Sequence, residues 1–352
     1  MKIYIPNEKE VKITQKNLFV LTRPFFQKNN WVPLRNKLDG WDLNPKKIKL
    51  VKKFKIADVL LIPMPINYYH EKKIIYLLEK YDSYPEKYKL KVFAFVSGDF
   101  GKDFLNYKNI TFFRMNGYRS RFRKNNIGFP ATLSDQYKIL FKKNRIPIYK
   151  KPIIPKIGFC GHATNSKIVY LHQTFNLLRE NLERFIEDPL RKDYEVFFQS
   201  ASFRYRVLKK IEKNKSLKTN FIFREKYRAG AKNSKSKIET TLEYYKNILT
   251  SNYIICLRGS GNFSIRFYET LMMGRIPVLI DTDCILPFVN MINWKEHVVW
   301  VDQVNINNIS QIILDFHSNL SDNDFRELQL KNRKLWLEKL NPSYTLKNLM
   351  KF

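Results

Sequence analysis

Residues 253–280 constrain the fold more tightly than any other stretch, because in 28 residues they read as strand, loop, helix and strand. Tyr253-Ile254-Ile255-Cys256-Leu257 is a short apolar run of the kind buried on both faces of a parallel sheet. Arg258-Gly259-Ser260-Gly261-Asn262-Phe263 reads as a loop, and a helix is expected from Ser264 to Met273, with Gly274 ending it. Ile276-Pro277-Val278-Leu279-Ile280 is the next strand. A βαβ unit this short requires a parallel α/β sheet with a right-handed crossover, and it puts the glycine-containing loop at the carboxyl end of a strand, where such sheets take ligands.

The same alternation extends over the rest of the chain. Strands are expected at 18–22, 58–64, 91–96 and 110–115, and the pattern restarts at 156–161 after a basic stretch punctuated by Pro147, Pro152 and Pro155. A long amphipathic helix at 168–185, a strand at 194–199, a helix at 205–213, a strand at 220–224, a basic loop at 228–237 and a helix at 239–249 then lead into the first stretch described. At 352 residues the chain exceeds what one core usually organises. The expected division is 1–150 and 151–340, with 341–352 as a C-terminal helix packing back on the N-terminal domain.

The loop and helix start carry the chemistry. Exposed N–H groups at a helix N-terminus, approached through Gly259, Ser260, Gly261 and Ser264, suit a diphosphate, and Arg258 and Arg266 add forked donors for phosphate oxygens. Glu269, three residues after Arg266 on the same helical face, can accept hydrogen bonds from two ribose hydroxyls. Taken alone, Arg266 and Glu269 read more readily as an intrahelical ion pair, and the glycines as a turn.

Charge widens the list of partners. The 64 Lys plus Arg against 32 Asp plus Glu leave +32, spread along the chain, so nucleic acid, an anionic membrane leaflet, a phosphorylated sugar donor and an acidic glycan are all admissible; the abundance of Lys, Asn and Ile makes compositional bias an equal explanation of part of it. The basic and aromatic cluster Tyr118-Arg119-Ser120-Arg121-Phe122-Arg123-Lys124 is the feature that speaks for nucleic acid, without any recognised binding motif around it. Cys160, Cys256 and Cys284 are far apart in sequence, each in or beside an apolar run, and read as buried thiols. With no signal-peptide pattern and no apolar run of membrane-spanning length, the expectation is a cytoplasmic or peripheral membrane protein.

Cys256-Leu257-Arg258-Gly259, Ser264-Ile265-Arg266-Phe267-Tyr268-Glu269-Thr270-Leu271 and Gly274-Arg275-Ile276-Pro277-Val278, extended by Leu286-Pro287-Phe288 and Ile292-Asn293-Trp294, resemble the donor-site signature of exostosin-type (GT47) glycosyltransferases. Leu257 stands where that family often has Pro. The resemblance implies an α/β fold of GT-B architecture, two Rossmann-like domains with an interdomain cleft. It implies a nucleotide-sugar donor, a UDP-sugar foremost, held as co-substrate by the second domain, and a glycan or lipid-linked acceptor on the first. It further implies inversion at the anomeric carbon with no required cofactor and no metal, although Asp281-Thr282-Asp283 has a metal-motif spacing. A GT-B transferase of different donor or stereochemistry is the neighbouring alternative.

An inverting displacement needs a base. Asp99, in Ser97-Gly98-Asp99-Phe100-Gly101 just past the strand 91–96, is the first candidate, and a similar Asp and Gly follow the corresponding strand in many exostosin-like enzymes. Glu71 and His70, one crossover earlier, are the reserves. His162 and Asn165, after Gly158-Phe159-Cys160-Gly161, are further candidate contacts to the donor, and Arg204 and Arg206 to its diphosphate or to the acceptor.

Overall fold

The computed structural model describes residues 1–14, 17–26, 41–44 and 46–352. The first domain is a six-stranded sheet of β1 (Lys2–Tyr4), β2 (Lys49–Leu50), β3 (Val59–Leu61), β4 (Lys91–Val96), β5 (Ile110–Arg114) and β6 (Asn126–Gly128), in the order β2-β1-β3-β4-β5-β6. The second is a five-stranded sheet of β7 (Lys156–His162), β8 (Lys218–Arg224), β9 (Tyr253–Cys256), β10 (Ile276–Asp281) and β11 (Val299–Asp302), in the order β11-β10-β9-β7-β8. Every strand pair in both sheets is parallel. Two Rossmann-like domains of this kind are what the GT-B resemblance implies.

The helices of the first domain are α1 (Ile66–Glu71), α2 (Tyr76–Asp82) and α3 (Tyr84–Tyr88), while α4 (Gln136–Phe141), which follows β6 in the chain, packs Tyr137 into the second domain's core. Those that follow are α5 (Lys167–Glu187), α6 (Ser200–Glu212), α7 (Ser234–Leu249), α8 (Ile265–Met272), α9 (Ile309–Ser318), α10 (Asp322–Lys339) and α11 (Pro342–Lys347). Every residue of β9 and β10 is buried, which is why they read as unbroken apolar runs. Gly274 adopts φ +62° at the end of α8, and the amide of Arg275 donates to the Thr270 carbonyl, so the left-handed residue closes the helix and turns the chain into β10.

Two expected strands are absent. Residues 18–22 form part of a 3-10 helix, Val20–Phe25, because Pro24 has no amide for a ladder and Leu18, Phe19, Leu21 and Phe25 fold down over the first sheet's core. Residues 194–199 form no strand and bond with side chains instead: Asn181 exchanges two hydrogen bonds with the Glu195 backbone, and Arg121 donates to the Tyr194 carbonyl. The elements β1, β2, β6, β11, α9 and α10 add to those read from the sequence.

The domains are latched to each other. Gly128 bridges to Pro287, and a Cβ at Gly128 would lie 2.4 Å from the Leu286 carbonyl, so only glycine allows that approach. Arg119 donates to Asp281 at 3.1 Å, and Ser120 donates to Asp283, which occupies the carboxylates of the Asp-Thr-Asp sequence at the domain junction. A buried network of Asp103, Arg184, Arg191, Asp193 and Glu195 grips the loop after β4: the Gly101 amide donates to Glu195 and the Asp103 amide to Asp193. At the far end, Leu346 and Leu349 join the first domain's core and Phe352 packs edge-on to Phe113.

Candidate functional site

The order of the second sheet makes its own prediction. The order of strand addition reverses between β7 and β9, and doubly wound sheets bind ligands beyond the carboxyl ends of the two strands flanking such a reversal. A cleft of about 670 Å³ lies there. Its walls include Cys160, Gly161 and His162 from the end of β7, Leu257, Gly259, Ser260 and Gly261 after β9, and Ser264, Arg266 and Glu269 from α8. Asp99 reaches it from the first domain. A larger hollow of about 790 Å³ under the linker has no comparable convergence of charge, and its buried histidine, His317, is held between Tyr253 and the Pro152 carbonyl.

Arg266 and Glu269 both face the cleft but bond to different partners. Glu269 accepts hydrogen bonds from the hydroxyls of Tyr244 and Tyr245, the latter at 2.7 Å. Burial, with Glu269 beside them, pushes both phenols well above their ordinary range, so they remain donors and fix the carboxylate in place. Arg266 donates to the Cys160 carbonyl at 2.9 Å and stacks on Phe159, its guanidinium 4.2 Å from the ring centre. Gly161 makes this possible: a Cβ there would sit 2.6 Å from the Arg266 guanidinium. Ser264 caps α8 without a side-chain bond to the helix, leaving its hydroxyl for the cleft.

Arg204 donates to the carbonyls of His162 and Arg258 and lies in the cleft wall. Burial, and then Arg266 and Arg258 nearby, pushes its pKa down to about 9. His162 is held below the ordinary imidazole range by burial and by Arg204. Arg258 lies beneath the cleft rather than in its wall: it is 3% exposed, donates to the Tyr118 hydroxyl at 3.0 Å and to the Ser260 carbonyl at 2.9 Å, and sits 3.9 Å from Glu195. Among the described residues ten buried side-chain polar atoms have no partner, and five of them, His162 Nε2 and the Nε atoms of Arg204, Arg224, Arg258 and Arg266, lie in or under this cleft. Buried donors and crowded cations of this kind call for an anion.

Other sequence candidates fall elsewhere. Glu71 lines a separate hollow of about 490 Å³ on the first domain, walled by Phe19, Tyr68, Phe95 and Phe129, while His70 packs against Phe104 and Tyr107. Asn165 and Arg206 border a third hollow on the outer side of α5. The cluster 118–124 is spent internally: Arg119 bonds Asp281, Arg121 the Tyr194 carbonyl, and Arg123 Asp103. Tyr244, Tyr245 and Arg224 are cleft residues that sequence reasoning missed; the adjacent tyrosines on a helix one crossover before the loop were the available signal. Asn262 was missed as well: its side chain donates to the Gly117 and Thr282 carbonyls and joins the two domains through the loop itself.

Comparison with known proteins agrees on the segment. The exostosin GT47 domain matches residues 186–315. A protein of Oryza sativa subsp. japonica named "Probable glucuronosyltransferase" is 34% identical over 70 residues, 20% of this chain and 16% of that protein. Exostosin-1 of Drosophila melanogaster is 40% identical over 62 residues, 17% of this chain and 8% of its own length. The match thus spans less than a fifth of either relative. A solved glycosyltransferase of Rickettsia africae ESF-5 aligns over 84% of this chain and 76% of that one at 12% identity, with a TM-score of 0.40.

Proposed function

We propose, from the premise that residues 186–315 match the exostosin GT47 domain, that this chain is a glycosyltransferase moving a sugar from a nucleoside-diphosphate donor to a glycan or lipid-linked acceptor. The observation that carries this reading is the placement of Arg266 and Glu269: neighbours on α8, both in the cleft at the reversal point of the second sheet, and each fixed by partners other than the other. In that position Glu269 accepts the ribose hydroxyls while Arg266, Arg204 and the N-terminus of α8 receive the diphosphate. As the anomeric carbon–oxygen bond breaks, charge grows on the leaving diphosphate, and these fixed donors stabilise it without reorganising. The same cations supply the charge a divalent ion would otherwise bring, so the reaction is proposed to run without metal. Asp99, the cleft's carboxylate from the first domain, is proposed to take the acceptor's proton as it attacks from the opposite face, with inversion.

Calorimetric titration with a panel of nucleoside diphosphates and their sugars, with and without divalent metal, tests this. One nucleotide should bind without metal. Glu269→Gln and Arg266→Lys should each weaken it by about 2–3 kcal/mol, roughly 30- to 150-fold in Kd. Asp99→Asn should keep that affinity and lower turnover by about 100- to 10,000-fold. A panel in which nothing binds overturns the reading.

A further inference from the structure

Helix α5 has its amphipathicity reversed. The side it turns to the protein buries one leucine, Leu177, and otherwise carries Gln173, Thr174, Asn181 and Arg184: Gln173 accepts from the Ala201 amide, Thr174 accepts from Gln199, Asn181 bonds the Glu195 backbone, and Arg184 is buried against Gly101 and Asp193. The side it turns to solvent carries Ile168, Leu171, Phe175, Leu178, Leu182 and Phe185, all exposed, Ile168 by 80% and Phe175 by 63%. Their spacing of three and four residues makes one continuous stripe along a helix about 30 Å long. An ordinary surface helix faces the other way, and a contiguous exposed apolar stripe of this length marks a surface with an apolar partner.

We propose that this face docks on an anionic lipid leaflet. Three observations select a membrane over a second copy of the chain. The net charge of +32 repels another copy and draws the protein to acidic headgroups. At the N-terminal end of the stripe, Lys167 and Arg206 flank Tyr170 and Leu171 around a hollow of about 350 Å³, which places basic groups and an aromatic ring at headgroup level beside side chains that enter the acyl layer. The acidic residues bordering the stripe are neutralised within the protein, Glu183 beside Arg179 and Glu187 by Arg191 and Lys102. Gln173 on the reverse side of the same helix lines the donor cleft, so docking holds the cleft at the membrane surface. If the transferase reading stands, the acceptor is therefore a lipid-linked glycan; the docking face itself does not depend on that reading.

The test is co-sedimentation of the full chain with vesicles of mixed phosphatidylcholine and phosphatidylglycerol, and with phosphatidylcholine alone, beside light scattering of the free protein. The wild type should be monomeric and should bind the anionic vesicles. The combined variant Leu171→Glu, Phe175→Glu and Leu178→Glu should lose about 100-fold in partitioning with an unchanged thermal midpoint. Lys167→Glu with Arg206→Glu should lose about 10-fold and flatten the salt dependence. Equal vesicle binding by the triple variant, or a wild-type dimer that the triple variant dissociates, overturns the proposal. Nucleotide titration of the same triple variant separates the two readings: vesicle binding by the wild type without any nucleotide binding removes the transferase and leaves the docking face, and nucleotide binding without vesicle binding does the reverse.

Discussion

Gly161 shows how much one missing methyl group can decide. Its sequence context of small residues suggests close approach of a ligand; in the fold the space is taken by the Arg266 guanidinium, 2.6 Å from where a Cβ would stand. Gly161 is not among the residues with positive φ, so alanine fits the backbone, and the obstacle it meets is the far end of a flexible side chain. Gly161→Ala should therefore keep folding stability within about 1 kcal/mol while swinging Arg266 off Phe159 and weakening nucleotide binding by roughly 10- to 100-fold, read by denaturation and by titration. Unchanged affinity would remove Arg266 from the donor site. At this scale the sequence was readable where the chemistry was local. Arg266 and Glu269 share a helix face, so their shared exposure to the cleft follows from spacing. Arg258 was not readable in that way: its place under the cleft depends on Tyr118 and Glu195, each at least sixty residues distant in sequence. Arg275, from the same motif, is fully buried on Gln329 and the Pro147 carbonyl and stacked over Tyr149, and its pKa is pushed down to about 10 by burial; it joins linker to helix α10 rather than binding anything.

Among the elements, the loop between β9 and α8 does two jobs, and the sequence announces only one. Gly259 and Gly261 read as a phosphate-binding turn, yet a Cβ on Gly261 would lie 2.3 Å from the Asp99 carbonyl, so that glycine also lets the two domains touch. Here the obstacle is backbone, which cannot rotate away. Gly261→Ala is expected to push the loop carrying Asp99 off the donor loop, costing about 1–3 kcal/mol in denaturant titration. Because the donor's own contacts on α8 survive, kcat should fall by more than the nucleotide Kd rises; equal losses in both would mean the loop only binds donor. Apolar runs located β7, β8, β9 and β10 of the second sheet but not its edge strand β11, and β9, α8 and β10 came within a residue or two of their bounds. The pattern failed at residues 194–199, where the apolar run Val196-Phe197-Phe198 suggests a strand but the partners are side chains from α5 and the first domain. It failed differently at α5, whose period was legible and whose inward face was not, since a hydrophobic stripe does not say which side the protein is on.

The domain junction of the whole molecule combines polar and apolar contacts, and four of the five histidines share a condition that makes stability depend on pH. His70, His162, His297 and His317 are each held below the ordinary imidazole range, in every case foremost by burial. His317 has a structural use for its neutral form: Nε2–H donates to the Pro152 carbonyl of the linker, so Nδ1 must accept from the Tyr253 hydroxyl, and a proton there would oppose that bond. A base whose folded pKa is depressed binds fewer protons folded than unfolded in the interval between the two values. Its contribution is thus complete above the unfolded value of about 6.5 and is lost as pH falls below it. The thermal midpoint should therefore drop steadily from pH 7 to pH 5. The same acidification raises a net charge already at +32, and self-repulsion would produce a drop of the same sign. Salt separates the causes: repulsion between exposed charges is screened at high ionic strength, while the burial that depresses the histidines is not. A calorimetric series from pH 7 to 5 in concentrated sodium chloride should retain most of the drop, and His317→Gln should make it shallower. A midpoint that becomes flat with salt would assign the acid sensitivity to surface charge and leave the buried imidazoles without a part in it.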